Sequence, residues 1–289
     1  MKFSKLFSIL SLTGLLAAPQ AFAGEITITD SGDPASWGFG GGPFGIAGED
    51  NETEKGTVRS QAWDMEAFVL SGGSNLQMVG GYDLVNGEAG GGGVLPGWLT
   101  PGDLFIKIGG SAPSNLPDNR GVANVNNDYG YDYVIDLTNN ALSRNGISAS
   151  QTSATVFALD SSSILETVVY DDFGANPWRY LSGATTSFST GISYTSGLNA
   201  AQTATATGLN LLGGSHNILN IDLGFLASHP GITDTTNVWL SYTMECGNDS
   251  LKGLTQGSPD ISVPDNAYSL LLAGLGLGLM VAFSRRRNS

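Results

Sequence analysis

Imidazole and thiol groups are scarce in this 289-residue chain. The histidines are His216 and His229, the one cysteine is Cys246, and there is no GxSxG or HExxH string. A Ser-His or Cys-His hydrolase therefore has little to be built from. Carboxylates are plentiful, so paired acids for glycoside hydrolysis remain open as a class. The adjacent Asp171 and Asp172 are poor partners, because neighbours on a strand point to opposite faces. The best metal candidate is the run from Asn124 to Asp132, in which Asn124, Asn126, Asp128 and Asp132 bring oxygen ligands to a chain that turns at Gly130. Calcium, which takes six to eight hard oxygens on a sharply turning backbone, is the one candidate cofactor. The EF-type template would want Gly where Tyr129 sits and a bidentate Glu where Ile135 sits, so the same residues also read as a plain Asn-Asp-Gly turn between two strands.

Binding chemistry is spread more widely. Trp37, Trp63, Trp98, Trp178, Tyr180 and Trp239 could stack on sugar rings or serve as core and strand-end residues. A glycine-aromatic segment, Gly38–Gly48, precedes the acidic cluster Glu49, Asp50, Glu52 and Glu54, which reads as a ligand border or a solvated loop. Twelve of the 26 residues from Ser182 to Thr207 are Ser or Thr, with Thr203, Thr205 and Thr207 at period two. That stretch fits an exposed flat strand, a loop or an O-glycosylation target.

The elements that must position these residues are strands. Between the chain ends no long stretch repeats at 3.6 residues, and the 41 glycines argue against helix. Short apolar or alternating runs recur at Glu25–Thr29, Ala67–Leu70, Leu76–Val79, Asp103–Ile108, Tyr131–Leu137, Thr155–Leu159, Ile164–Tyr170, Ile218–Leu223 and Val238–Cys246. Turn-rich segments separate them, which predicts an all-β body of the β-sandwich or jelly-roll kind. Alternation predicts half-buried sheet, with Leu104, Ile106 and Ile108 opposite Phe105 and Lys107. Likewise Tyr131, Tyr133, Ile135 and Leu137 should lie opposite Asp132, Val134 and Asp136. Val238, Leu240, Tyr242, Met244 and Cys246 share one face of the last strand, where an inward thiol acts as a small buried hydrophobe.

Both ends carry transport chemistry. Lys2 and Lys5, an apolar stretch from Leu6 to Ala18, and Ala21-Phe22-Ala23 have the layout of a signal peptide over 1–23, cut to leave Gly24 first. At the other end, Val263, Pro264 and Asp265 precede an apolar run over 267–283, then Arg285, Arg286 and Arg287. Seventeen residues of helix cover about 25 Å, near the low end of a bilayer core. The arginines should stay cytoplasmic and leave the body outside. From Gly24 to Pro264 seven basic residues face 25 acidic ones, a net charge of −18. A body this acidic repels nucleic acid, and neutral glycans or divalent cations are the natural partners. A lone cysteine excludes an internal disulfide framework.

The tail resembles the PEP-CTERM sorting signals of certain Gram-negative bacteria in their VPD-type variant, with Asp265 in place of the commoner Glu and Ser269 near where the family often carries Ser or Thr. Two further stretches are similar to segments of secreted proteins of that class. They are GDLFIKIGG (Gly102–Gly110) with YGYDYVIDL (Tyr129–Leu137), and TMECGND (Thr243–Asp249). The resemblance implies export by the Sec translocon and signal peptidase, an inner-membrane intermediate held by the C-terminal transmembrane helix, and cleavage by an exosortase-like enzyme. The alternative is a permanent tail anchor. The expected organisation is a signal peptide at 1–23, a secreted β-rich domain at 24–251, a linker at 252–262 and a sorting signal at 263–289. The expected function is that of a non-catalytic structural or adhesive component of an extracellular polysaccharide or biofilm matrix at the cell surface. A lectin-like glycan-binding module is the alternative, and a secreted glycan-active enzyme the second alternative.

Overall fold

Alternating apolar residues between glycine-rich turns produce a mainly β fold in which every strand pairing among the described residues is antiparallel. The computed structural model describes residues 24–28, 61–89, 98–113, 121–138, 147–169, 177–211, 213–247 and 249–257. Residues Ala23–Val263 form one compact unit. Its strands are β1 (Gly24–Glu25), β2 (Met65–Ser71), β3 (Asn75–Gly80), β4 (Leu104–Ile108), β5 (Ala123–Val125), β6 (Tyr133–Asp136) and β7 (Ser153–Ala158). They continue with β8 (Ile164–Thr167), β9 (Pro177–Ser182), β10 (Thr186–Leu198), β11 (His216–Asp222), β12 (Asn237–Thr243) and β13 (Ser250–Gln256). One curled ten-stranded sheet has the order β1-β2-β3-β11-β10-β7-β6-β4-β12-β13, and a small sheet has the order β5-β8-β9.

Each expected strand has a counterpart, and the curl wraps them around one main core. Phe68, Met78, Ile106, Ile135, Leu219 and Leu240 meet there from six different strands, and Cys246 is buried among the same cluster. Burying one such large apolar side chain stabilises the fold by about 1.5–3 kcal/mol. The expectation of half-buried sheet at β4 and β6 is corrected. Phe105 and Val134, which face away from the main core, are fully buried with Leu165 of β8 and Tyr180 of β9, because the small sheet covers that face. Tyr131 joins this second cluster rather than the main core, since it precedes β6 and escapes its alternation.

Two further expectations change. In the Ser/Thr-rich stretch the exposed strand is β10, whereas Thr203, Thr205 and Thr207 lie on a helix, α1 (Ala200–Thr207). Asn199 and Gln202 make a reciprocal capping box, Gly208 ends the helix in the left-handed region, and the three threonine hydroxyls donate to carbonyls four residues back. The expected linker at 252–262 begins too early, because Lys252–Gln256 belongs to β13, paired along its length with β12. Gly247 turns the chain at positive φ, so the TMECGND stretch is a hairpin corner and not the end of the body.

The tightest backbone approach sits at Gly102. A Cβ there would overlap the carbonyl oxygen of Thr243 and lie 2.7 Å from that of Trp178. Both are backbone atoms in paired strands and cannot retreat. At Gly191 on β10 the nearest atom to a Cβ is Asp222 Cβ at 3.8 Å. Urea unfolding should therefore show Gly102→Ala losing at least about 3 kcal/mol, while Gly191→Ala stays within about 0.5 kcal/mol of the parent.

Candidate functional site

Several acid–base residues of the described fold, among them Asp103, Glu66 and His216, are built into its interior. Asp103, just before β4, accepts backbone N–H groups from Leu137 (2.8 Å) and Thr138 (3.0 Å) through Oδ1, and from Tyr180 (2.7 Å) through Oδ2. Full burial, and the nearby Asp136 carboxylate, hold its proton affinity well above the usual carboxylate range, against the pull of those three donors. Three of the singled-out sequence stretches meet here, since Gly102 presses on Thr243 and its N–H donates to the Tyr242 hydroxyl at 3.3 Å.

A second constellation is missed by sequence reasoning. The β2–β3 register slips between Met65 and Ala67, so Glu66 is the extra residue of a bulge, a device that re-aims a side chain. Its Oε1 lies 2.9 Å from His216 Nε2 on β11 and accepts from Gln61 Nε2 at 2.8 Å, with both the Glu66 and His216 side chains fully buried. Gln61 Oε1 in turn accepts the Gly214 N–H at 3.1 Å. Burial pushes the Glu66 carboxyl up to about 7, although the Gln61 hydrogen bond pulls it down. Next to the bulge, the Met65 N–H donates to Asp249 Oδ2 at 2.6 Å, which gives the final Asp of TMECGND a structural task. No sequence signal marks Glu66 and His216 as a pair, because 150 positions separate them and only a bulge aims one at the other.

The third cluster reaches solvent. Tyr133 makes edge contacts with Phe188 (6.2 Å between centroids), Phe225 (5.5 Å) and His229 (5.7 Å), and Phe188 meets Phe225 at 5.2 Å. Phe188 is 38 % exposed. Asp132 stands beside this rim, its carboxyl raised by burial but drawn down by the Ile108 N–H, His229 and Lys107. Aromatic surface edged by an acid, an imidazole and an amine suits a polar ring with apolar faces, such as a sugar.

The sequence-derived candidates fare differently. Asn126 is buried, with Nδ2 donating to Tyr131 O (2.6 Å) and Asp160 O (3.1 Å) and Oδ1 accepting from Tyr131 N (2.9 Å). Asn124 donates to Val122 O, Asp132 Oδ2 accepts from Ile108 N, and Asp128 is exposed. These residues share a loop, and the Asn126 oxygen faces inward on a backbone N–H, which gives Asn126 a structural task in the Asn-Asp-Gly turn. Among the described residues no group of three or more His, Cys, Asp or Glu side chains is arranged to hold a metal ion. Trp178 and Tyr180 are buried, Trp63, Trp98 and Trp239 are half-buried, and no two of these rings pair among the described residues. Gly24 opens β1. Ala21, Ala23, Trp37, the 38–54 loop, Asp171, Asp172 and the tail residues Val263, Pro264, Asp265, Arg285, Arg286 and Arg287 lie outside the described residues.

The buried acids set a pH dependence. Glu66 binds its proton more tightly when folded, so it favours the fold most below its unfolded value near 4.5, and that advantage is lost as pH rises through about 7. Asp103 acts in the same direction. Thermal unfolding should therefore give a higher Tm at pH 5 than at pH 8, a Glu66 share on the order of 3 kcal/mol. Glu66→Gln should flatten the profile, and an equal slope in that variant would remove Glu66 as its source.

Comparison of the whole chain with protein-family models, with curated proteins and with solved structures finds no match.

Proposed function

We propose that this is an exported surface protein of a Gram-negative cell, with a sandwich- or jelly-roll-like body bracketed by two processing signals. It passes through the Sec translocon, is held in the inner membrane by its C-terminal helix, and is released near Pro264 by an exosortase-like enzyme. In this reading the body is a non-catalytic structural or adhesive part of an extracellular polysaccharide matrix. One observation carries it. The compact unit, Ala23–Val263, fills the interval between the Ala21-Phe22-Ala23 string and the Val263-Pro264-Asp265 string, and the first strand opens at Gly24. The net charge of −18 over Gly24–Pro264 adds solubility and points to neutral rather than anionic polymers.

Intact-mass measurement on the surface fraction of the native host tests this reading. The expected species begins at Gly24 and ends near Pro264, with or without an added group. A species that still carries 267–287 overturns the sorting signal and leaves a membrane-anchored body.

The lectin-like alternative is favoured by the rim of Tyr133, Phe188, Phe225 and His229. Phe188→Ala removes an exposed ring without opening the main core. If the rim binds sugar, the variant should lose at least tenfold in retention on the host's neutral polysaccharide, about the 1.4 kcal/mol of one stacked aromatic contact, while a Tm lowered by only a few degrees shows that the body stays folded. Equal retention of parent and variant rules the rim out.

A further inference from the structure

We infer that the seam between β2 and β13 is a strand-accepting site, and that copies of this chain can be joined through it by exchange of the N-terminal segment Gly24–Ile28. Within one chain the segment fits the seam closely. Gly24 and Glu25 pair with Leu70 and Val69, the Ile26 N–H donates to Phe68 O at 3.0 Å, and the Thr27 hydroxyl accepts the Phe68 N–H at 2.9 Å. The segment then changes sides. Leu254 N–H donates to Ile26 O at 3.0 Å and Ile28 N–H to Lys252 O at 2.8 Å, with Thr27 opposite Gly253. Ile26 meanwhile packs against the main core. Five residues thus connect the two ends of the strand order.

The walls of the seam are chemically suited to an incoming strand. With the segment removed, β2 and β13 become the outermost strands of the curled sheet, and an edge with unpaired N–H and C=O groups is a template for another extended chain. Gly253 shapes the site, since a Cβ there would lie 2.8 Å from Phe68 Cδ2 and 3.5 Å from Ile26 O. A second copy offers an identical segment, so an exchanged strand makes the same hydrogen bonds and the same apolar contact as the resident one.

Only the connection differs between the two arrangements. Thirty-two residues, 29–60, separate Ile28 from Gln61, and a chain of that length reaches at most about 110 Å. The resident segment belongs to the same chain as its seam, so its return is intramolecular and independent of protein concentration. In dilute solution the segment therefore stays in its own seam. Crowding raises the share of seams that a neighbour's segment fills, because only the exchanged arrangement gains with concentration. Reciprocal exchange closes a dimer, and one-way exchange propagates a chain of copies. The proposal stands on the sheet edges alone and survives or fails independently of the sorting tail.

Full-length chains carrying either Ile28→Cys or Lys252→Cys test it. The 27–253 pairing puts positions 28 and 252 opposite each other, both are partly exposed, and the native Cys246 is buried. The two single variants are mixed at millimolar and at micromolar concentration, then oxidised. The expected result is a covalent dimer whose mapped disulfide joins position 28 of one chain to position 252 of another, in an amount that rises with concentration at mixing. A chain with both substitutions should close the same disulfide internally at micromolar concentration. Internal closure without any mixed dimer shows that the segment stays in its own seam, and overturns the exchange. Failure of internal closure as well shows that the segment does not occupy the seam, and overturns the site.

Discussion

One buried carboxylate ties the two sheets together. Asp103 stands where the chain enters β4, yet its three backbone donors come from the end of β6 and from β9 of the small sheet. Three donors on one acceptor compensate much of the cost of burial, and removing that acceptor would orphan all three. Around it the packing is backbone on backbone, with Gly102 against the carbonyls of Thr243 and Trp178. The second apolar cluster, Phe105 with Val134, Leu165 and Tyr180, forms only where this junction holds β9 against β4 and β6. The recognisable sequence stretches converge on the junction, so their residues have a structural task there and name no substrate.

Alternation made much of the architecture legible. Leu104, Ile106 and Ile108 face the main core as their spacing required, and so do Val238, Leu240 and Tyr242. What alternation could not show is how many layers lie above a strand. Phe105 and Val134 look like an exposed face until β8 and β9, far along the chain, cover it. The 13 residues of β10 fall in the Ser/Thr-rich stretch for which an exposed strand was one of three readings, because Ser187, Ser189 and Ser193 are exposed and dilute the apolar signal that Ile192 carries inward. The period-two threonines misled because a capping box at Asn199 outranks side-chain spacing in fixing local conformation. The strand β13 was hidden by Lys252 and Gly253, residues that read as linker but serve a pairing with β12 and with Thr27.

The candidate sites were less legible than the fold, for a physical reason. A catalytic or binding cluster depends on register and bulges, which no composition records. Glu66 would point elsewhere if Met65 and Ala67 continued in simple alternation, and His216 would then be a lone imidazole on an apolar strand. Tyr133, Phe188, Phe225 and His229 come from separate stretches whose contact requires the sheet to curl. In the Asn124–Asp132 run, Asn126 stitches the turn to Tyr131 and Asp160, a task that residue spacing does not reveal.

Charge and sheet closure act on different length scales, and that separation decides how such bodies behave together. A net charge of −18 over Gly24–Pro264 repels other copies and anionic polymers. At physiological salt, however, that repulsion is screened beyond roughly 8 Å. Three bonds of the seam are N–H to C=O contacts of 2.8–3.0 Å, which are indifferent to net charge once two edges meet. Acidity therefore governs how often two bodies approach, and the short N-terminal strand governs what holds them if they do.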